Sequence, residues 1–335
     1  MGLGHMRLGL IGLGRIGAFH AQTLTDLPQV GSLVVADAVP TVTAEVAARL
    51  GAEPADSPEK LLAAGVDGVL IAAATAAHPA LLRAAVDAGL PVFCEKPLAA
   101  DLAEARATAD AVRGAPVQIG YPRRFDAAFA AVRAAVAAGE LGRVHTVRST
   151  TLDPAPPPRA YLAGSGGLFR DCTVHDLDAV RWVTGQEIVE VYATGSDRGD
   201  PVFGELGDVD AAALVLTMAD GALGVVSNSR YNARGYDVRL EAHGAADSRA
   251  AGLDDGLPLL PVGPGALVPA GPPHTFFMDR LASAFRAELA AFTELVAGTR
   301  PSPCTVDDAL AVAVAAEAAV VSRREHRPVR TAEVG

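Results

Sequence analysis

From Arg7 to Tyr121, short apolar runs alternate with alanine-rich stretches whose apolar positions recur every three to four residues. Strands covered on both faces read as continuous apolar runs and crossover helices as amphipathic ones, so this alternation predicts βαβ units of a parallel sheet. The predicted strands are Arg7 to Ile11, Leu33 to Ala36, Gly68 to Ala73, Val92 to Cys94 and Val117 to Gly120. Predicted helices fill the gaps: Arg15 to Leu27 stopped by Pro28, Thr41 to Leu50 stopped by Gly51, Pro79 to Ala88 stopped by Gly89, and Asp101 to Val112 stopped by Gly114.

After Tyr121 the pattern changes. Phe125, Phe129, Val132 and Val136 form one buried stripe of a helix. Strand-like runs follow at Val144 to Thr150, Ile188 to Ala193, Ala211 to Met218, Ala222 to Ser229 and Asp237 to His243. Asp220-Gly221 between two of them is a hairpin turn signal, so the second sheet is at least partly antiparallel. A Pro- and Gly-rich connection, Gly256 to Pro273, leads to helices at Asp279 to Ala297 and Asp307 to Arg324.

A chain of 335 residues exceeds the size at which one core keeps growing. The change of pattern puts the boundary of two domains at residues 1–121 and 122–335. A net charge of −11 opposes binding to nucleic acid or anionic membrane, and the short clusters Arg123-Arg124 and Arg323-Arg324 read as solvated helix faces. The three cysteines are far apart and form no CxxC pair, which indicates neither a disulfide framework nor a zinc knuckle and fits a reducing cytoplasm. No run is long and clean enough to span a bilayer, and the start has no signal-peptide order of regions. Met1 to His5 read as an added leader ahead of a start at Met6.

Gly12-Leu13-Gly14-Arg15-Ile16-Gly17 fits GxGxxG, follows the first strand and opens the first helix. The first glycine permits a tight turn, the second lets backbone approach a pyrophosphate, and the third lets helix and strand pack closely. Asp37 ends the second strand, where a carboxylate accepts hydrogen bonds from ribose hydroxyls and repels a 2′-phosphate, which favours NAD over NADP. Singly, the glycines also read as an ordinary βα turn and Asp37 as a turn cap; strand, helix and acid in register select the dinucleotide.

Two further clusters carry chemistry. Cys94-Glu95-Lys96-Pro97 follows the fourth strand at the carboxyl edge where open α/β sheets bind ligands, so Lys96 is a catalytic ammonium or an exposed charge. In Asp171-Cys172-Thr173-Val174-His175, a helix would put Asp171 and His175 on one face, although the pair alone also reads as an N-cap with a surface histidine. Cys172 and His175 have no further Cys or His nearby, so no metal site is expected.

Together, Gly12 to Gly17, Glu95-Lys96-Pro97 and Asp171 to His175 resemble the glucose-fructose oxidoreductase, inositol dehydrogenase and rhizopine catabolism (Gfo/Idh/MocA) family over nearly the whole chain. Asp153 to Pro158, Ser165 to Arg170, Asn228-Ser229-Arg230, Gly235-Tyr236-Asp237 and Phe276 to Arg280 look like its bacterial myo-inositol 2-dehydrogenase branch. The resemblance implies an α/β protein with an N-terminal Rossmann domain and a C-terminal α+β domain with a large, mostly antiparallel open sheet. It also implies tetramers or dimers formed through exposed sheet faces. The implied activity is NAD-dependent oxidation of a CH-OH group in a cyclic polyol, foremost myo-inositol to 2-keto-myo-inositol (scyllo-inosose). Another polyol, sugar or amino sugar is the alternative, and the joint presence of Lys, Asp and His speaks against a dinucleotide-dependent regulator without turnover.

By the same resemblance, Lys96, Asp171 and His175 line the place where the carbinol meets the nicotinamide, and Tyr236 and Arg124 touch substrate. Thr75, His78, Glu95 and Lys96 then join Gly12, Gly14, Arg15, Ile16, Gly17 and Asp37 around the cofactor, while capping the helix that begins at Pro79 is an equal role for Thr75 and His78. His175 would take the hydroxyl proton, Asp171 hold His175 or Lys96, and Lys96 donate to the developing alkoxide; in the other division Lys96 is the acceptor. Two departures bear on which polyol fits: Pro122 stands where Asn or Met is commoner, and Arg234 where Tyr is common.

Overall fold

The computed structural model describes residues 5–266 and 268–335, so of Met1 to His5 only His5 lies within the described residues. Six strands, β1 (Met6–Ile11), β2 (Val30–Ala36), β3 (Glu53–Pro54), β4 (Gly68–Ile71), β5 (Val92–Glu95) and β6 (Val117–Gly120), form an all-parallel sheet in the order 3-2-1-4-5-6. That is the strand order of a doubly wound dinucleotide-binding fold. Leu8, Leu10, Val35, Leu70 and Phe93 are buried within it, as continuous apolar runs require.

The crossover helices end as their sequences dictate. Pro40 opens the helix Pro40–Leu50 and Gly51 closes it in the left-handed region, while the Asp101 side chain accepts the Glu104 N–H to cap Leu102–Val112. The two-residue strand β3 and the helix Pro58–Leu62 were not expected, because neither is long enough to show a period.

The compact units do not follow a single cut in sequence. The first unit ends its first pass at Pro122 and also holds Phe285–Leu310, whereas the second comprises Arg123–Ala284 and Ala311–Gly335. The reason is apolar. Leu289, Phe292 and Leu295 of the helix Ala282–Val296 are buried in the core that contains Phe93 and Leu70, with Phe292 edge-on to Phe93 at 5.9 Å between centroids.

In the second unit seven strands form a sheet in the order 12-11-7-10-9-8-13: β7 (Val144–Leu152), β8 (Ile188–Ser196), β9 (Ala211–Met218), β10 (Leu223–Ser229), β11 (Asp237–Gly244), β12 (Ser248–Ala251) and β13 (Val329–Arg330). Only the β7–β10 pair is parallel. The β9–β10 hairpin turns at Gly221 (φ +88°), with Asp220 accepting the Ala222 N–H. The helix Val174–Thr184 packs on β7, and strand residues alternate between that covered face and an outer one. On the outer face Tyr192, Val215 and Val225 are exposed side by side in register.

Arg123 and Arg124 correct the expectation of a solvated helix face. They lie in a short 3-10 turn, Pro122–Phe125, with Arg123 on Asp176 at 2.8 Å and Arg124 on Asp178 at 2.5 Å, all four side chains buried. A buried guanidinium is tolerated only with such a partner, and these partners stand more than fifty residues away in sequence, beyond the reach of local pattern.

Candidate active site

In the first unit, β1 runs straight into the glycine loop. Gly12 has φ +92°, and a Cβ on Gly12 or Gly17 would strike backbone, whereas one on Gly14 would meet nothing within 4 Å. Thus Gly12 and Gly17 are required by the loop itself, and Gly14 leaves its face open to a ligand. Gly14 and Arg15 are exposed and Ile16 is half-buried at the start of the helix Arg15–Thr25, whose amino end carries the positive pole. Asp37 is tied to this loop: Oδ2 accepts the Leu13 N–H at 2.6 Å and Oδ1 the Val39 N–H at 2.9 Å. This cradle fits a dinucleotide pyrophosphate with the acid at its ribose end.

Thr75 lies half-buried in a 3-10 turn, Thr75–Ala77, and no side chain caps the helix His78–Asp87 that follows. His78 is instead buried with Nδ1 2.8 Å from the Pro97 carbonyl and Nε2 3.0 Å from that of Ala73, which ties the end of β4 to the Glu95-Lys96-Pro97 loop. The Glu95 carboxylate is turned into the unit: Oε1 lies 2.6 Å from His20 Nε2, and Oε2 accepts the Lys96 backbone N–H at 3.2 Å. Lys96 itself is half-buried.

In the second unit, Asp171 sits in a π-turn, Phe169–Thr173, that leads into the helix Val174–Thr184 bearing His175. The stretch is helical as expected, with a wider first turn. Asp171 Oδ1 accepts the Tyr161 hydroxyl at 2.8 Å and Oδ2 accepts Arg230 Nη2 at 2.7 Å, while Arg230 Nη1 also donates to Asp153 at 3.0 Å. Burial pushes the Asp153 carboxyl above its ordinary value, against the opposing pull of Arg230. His175 is half-buried and Arg234 exposed. Tyr236 is buried, its phenol pushed up by that burial, and its backbone N–H donates to the His274 carbonyl at 2.7 Å.

Residues 6–121 match the oxidoreductase family with an NAD-binding Rossmann fold, and residues 129–248 match the GFO/IDH/MocA C-terminal domain. The chain belongs to the GFO/IDH/MocA family of oxidoreductases. It is 39% identical over 335 residues to the myo-inositol dehydrogenase Hyg17 of Streptomyces leeuwenhoekii, covering 95% of this chain and 98% of that one. The crystal structure of a myo-inositol dehydrogenase from Corynebacterium glutamicum matches with a TM-score of 0.90 and 35% identity, over 97% of this chain and 98% of that chain. That of a scyllo-inositol dehydrogenase from Lactobacillus casei, with bound NAD(H) and scyllo-inositol, matches with a TM-score of 0.88 and 27% identity, over 98% of this chain and 100% of that chain.

In this GFO/IDH/MocA oxidoreductase residues 6–121 of the first unit form an NAD-binding Rossmann domain. Arg124, expected at the substrate, donates from Nε and Nη2 to buried Asp178, which fixes the 3-10 turn. Sequence reasoning gave no role to His20, which contacts Glu95 in the first unit, or to Asp153, Tyr161 and Arg230, which gather around Asp171 in the second. For Arg230 a signal existed, since Asn228-Ser229-Arg230 stood out as a motif with no role attached. Among the described residues no group of three or more His, Cys, Asp or Glu is placed to hold a metal ion.

Proposed function

We propose that the protein oxidises one secondary alcohol of a cyclic polyol, myo-inositol first among candidates, to the corresponding ketone with NAD as oxidant. The observation that carries this reading is the Asp171–Arg230–Asp153 cluster with the Tyr161 hydroxyl, a set of charged and hydroxyl groups suited to a ring bearing hydroxyls all round. Relatives at 36–39% identity over most of the chain that act on inositol support it.

Bound at the glycine loop, NAD supplies the hydride acceptor. The protein must then take the hydroxyl proton and bear the charge that develops on oxygen. His175 takes the proton, and its half-exposed position gives that proton a route to water. Asp171, fixed through both oxygens by Tyr161 and Arg230, supplies a stationary negative charge that favours the resulting imidazolium. Lys96 donates to the developing alkoxide; the reverse division, Lys96 as acceptor, uses the same groups. Glu95, Thr75 and His78 shape the cofactor side, and Tyr236 the substrate side.

We infer residues 1–121 as the cofactor-binding part and 122–335 as the part for substrate and self-association, in a cytoplasmic homotetramer or homodimer that joins through the outer sheet face. NADH formation followed at 340 nm over a panel of inositols, sugars and amino sugars tests the activity. Turnover with myo-inositol is expected, and Lys96→Ala or His175→Ala should lower kcat by about 10² to 10⁴ while NAD still binds. Activity on another polyol alone would replace the substrate, and none on any, with NAD bound, would leave a regulator.

A further inference from the structure

His20 has no part in the chemistry above, yet it sits at full burial in the helix that begins at the glycine loop. Its ring stands edge-on to Phe93 and Phe285, each at 5.7 Å between centroids. Nε2 lies 2.6 Å from Glu95 Oε1, and Nδ1 is buried without a hydrogen-bond partner. A phenyl ring would fill the same aromatic niche with no orphaned nitrogen, so packing alone favours Phe over His there. What the imidazole adds is its hold on Glu95. That carboxylate meets the Lys96 backbone N–H with its other oxygen, and Gly120 on β6 makes room for it, since a Cβ there would lie 3.1 Å from Oε2.

We propose that His20 is a positioning residue which, through Glu95, fixes the backbone from which Lys96 projects and links the set of that ammonium to the helix that receives the dinucleotide. The inference rests on Lys96 being the group that meets the reacting oxygen.

Composition supplies a clean probe. The chain has two lysines, Lys60 and Lys96, and Lys60 is an exposed reference paired with Asp56. Reductive ¹³C-methylation of the full chain, with NAD bound, gives each lysine its own NMR signal. His20→Phe should shift the Lys96 signal and its titration midpoint and leave Lys60 unmoved. In unmodified protein, kcat should fall about tenfold or more with polyol KM and NAD affinity within about threefold, and the pH profile of kcat should move. Glu95→Gln should likewise shift the Lys96 signal and lower kcat, and the double variant should be no worse than the weaker single, as members of one chain of contacts behave. Unchanged Lys96 signal with unchanged kcat, or losses that add, would overturn the proposal. If His20→Phe does not fold, Glu95→Gln reads the same link from its other end. A wild type inactive on every polyol would sink the functional reading, while the Lys96 signal would still decide the role of His20.

Discussion

Asp37 uses one carboxylate twice. It already accepts the Leu13 and Val39 N–H groups, so it shapes the glycine loop besides the ribose contact proposed for it. Asp37→Ala should weaken NADH binding about 10- to 100-fold, the scale of lost charge-assisted hydrogen bonds, and narrow the gap to NADPH; fluorescence titration with both nucleotides measures it. An unaltered gap would take selection away from this residue. Asp153 behaves differently. Its folded pKa stands above the ordinary 3.8, so folding favours its neutral form: the cost of its charge is absent below 3.8, grows as pH rises, and is complete above the raised value. Asp153→Asn should therefore be more stable than wild type at pH 7, with the Tm difference shrinking toward pH 4; the opposite trend would mean that Arg230 wins over burial. The glycines and Asp37 were legible in sequence because their roles are local. Asp153 and Arg230 both lay in motifs that stood out, but their pairing was not legible, because they meet across 77 residues and only the folded sheet brings them together.

Elements carry the site through their anchoring. Asp176, next to His175 on the helix Val174–Thr184, accepts hydrogen bonds from Arg123, Ser149, Thr151 and Asn228, which fastens the helix to β7 and β10. Removing a buried charge from such a set strands the guanidinium, at a cost of about 3 to 5 kcal/mol. Asp176→Leu should show that loss in urea unfolding, and a change below about 1 kcal/mol would mean the neighbours re-pair. The helix itself was readable from Val174, Leu177 and Val180. Its π-turn was not, since apolar spacing fixes a buried face and leaves the width of a single terminal turn open. The four-residue β4, β5 and β6 were foreseen because they are apolar runs, while two-residue β3 and β13 and the polar β12, Ser-Arg-Ala-Ala, gave no such signal.

For the whole molecule, the outer sheet face and the path of the chain matter most. Tyr192, Val215 and Val225 make a solvent-facing apolar row on three adjacent strands, the kind of surface monomers seldom retain. If the proposed self-association uses this row, Val225→Lys should lower the mass that light scattering gives for the wild type with the sheet intact by circular dichroism; an unmoved mass would take the row out of that proposal. The return of Phe285–Leu310 to the first unit has a consequence for how the protein is born. A ribosome delivers Phe93 early and Phe292 near the end, so the nascent dinucleotide-binding core waits with an open apolar seat while β7 to β12 are synthesised. Until that seat is filled, the growing polypeptide exposes apolar surface of the kind that invites aggregation.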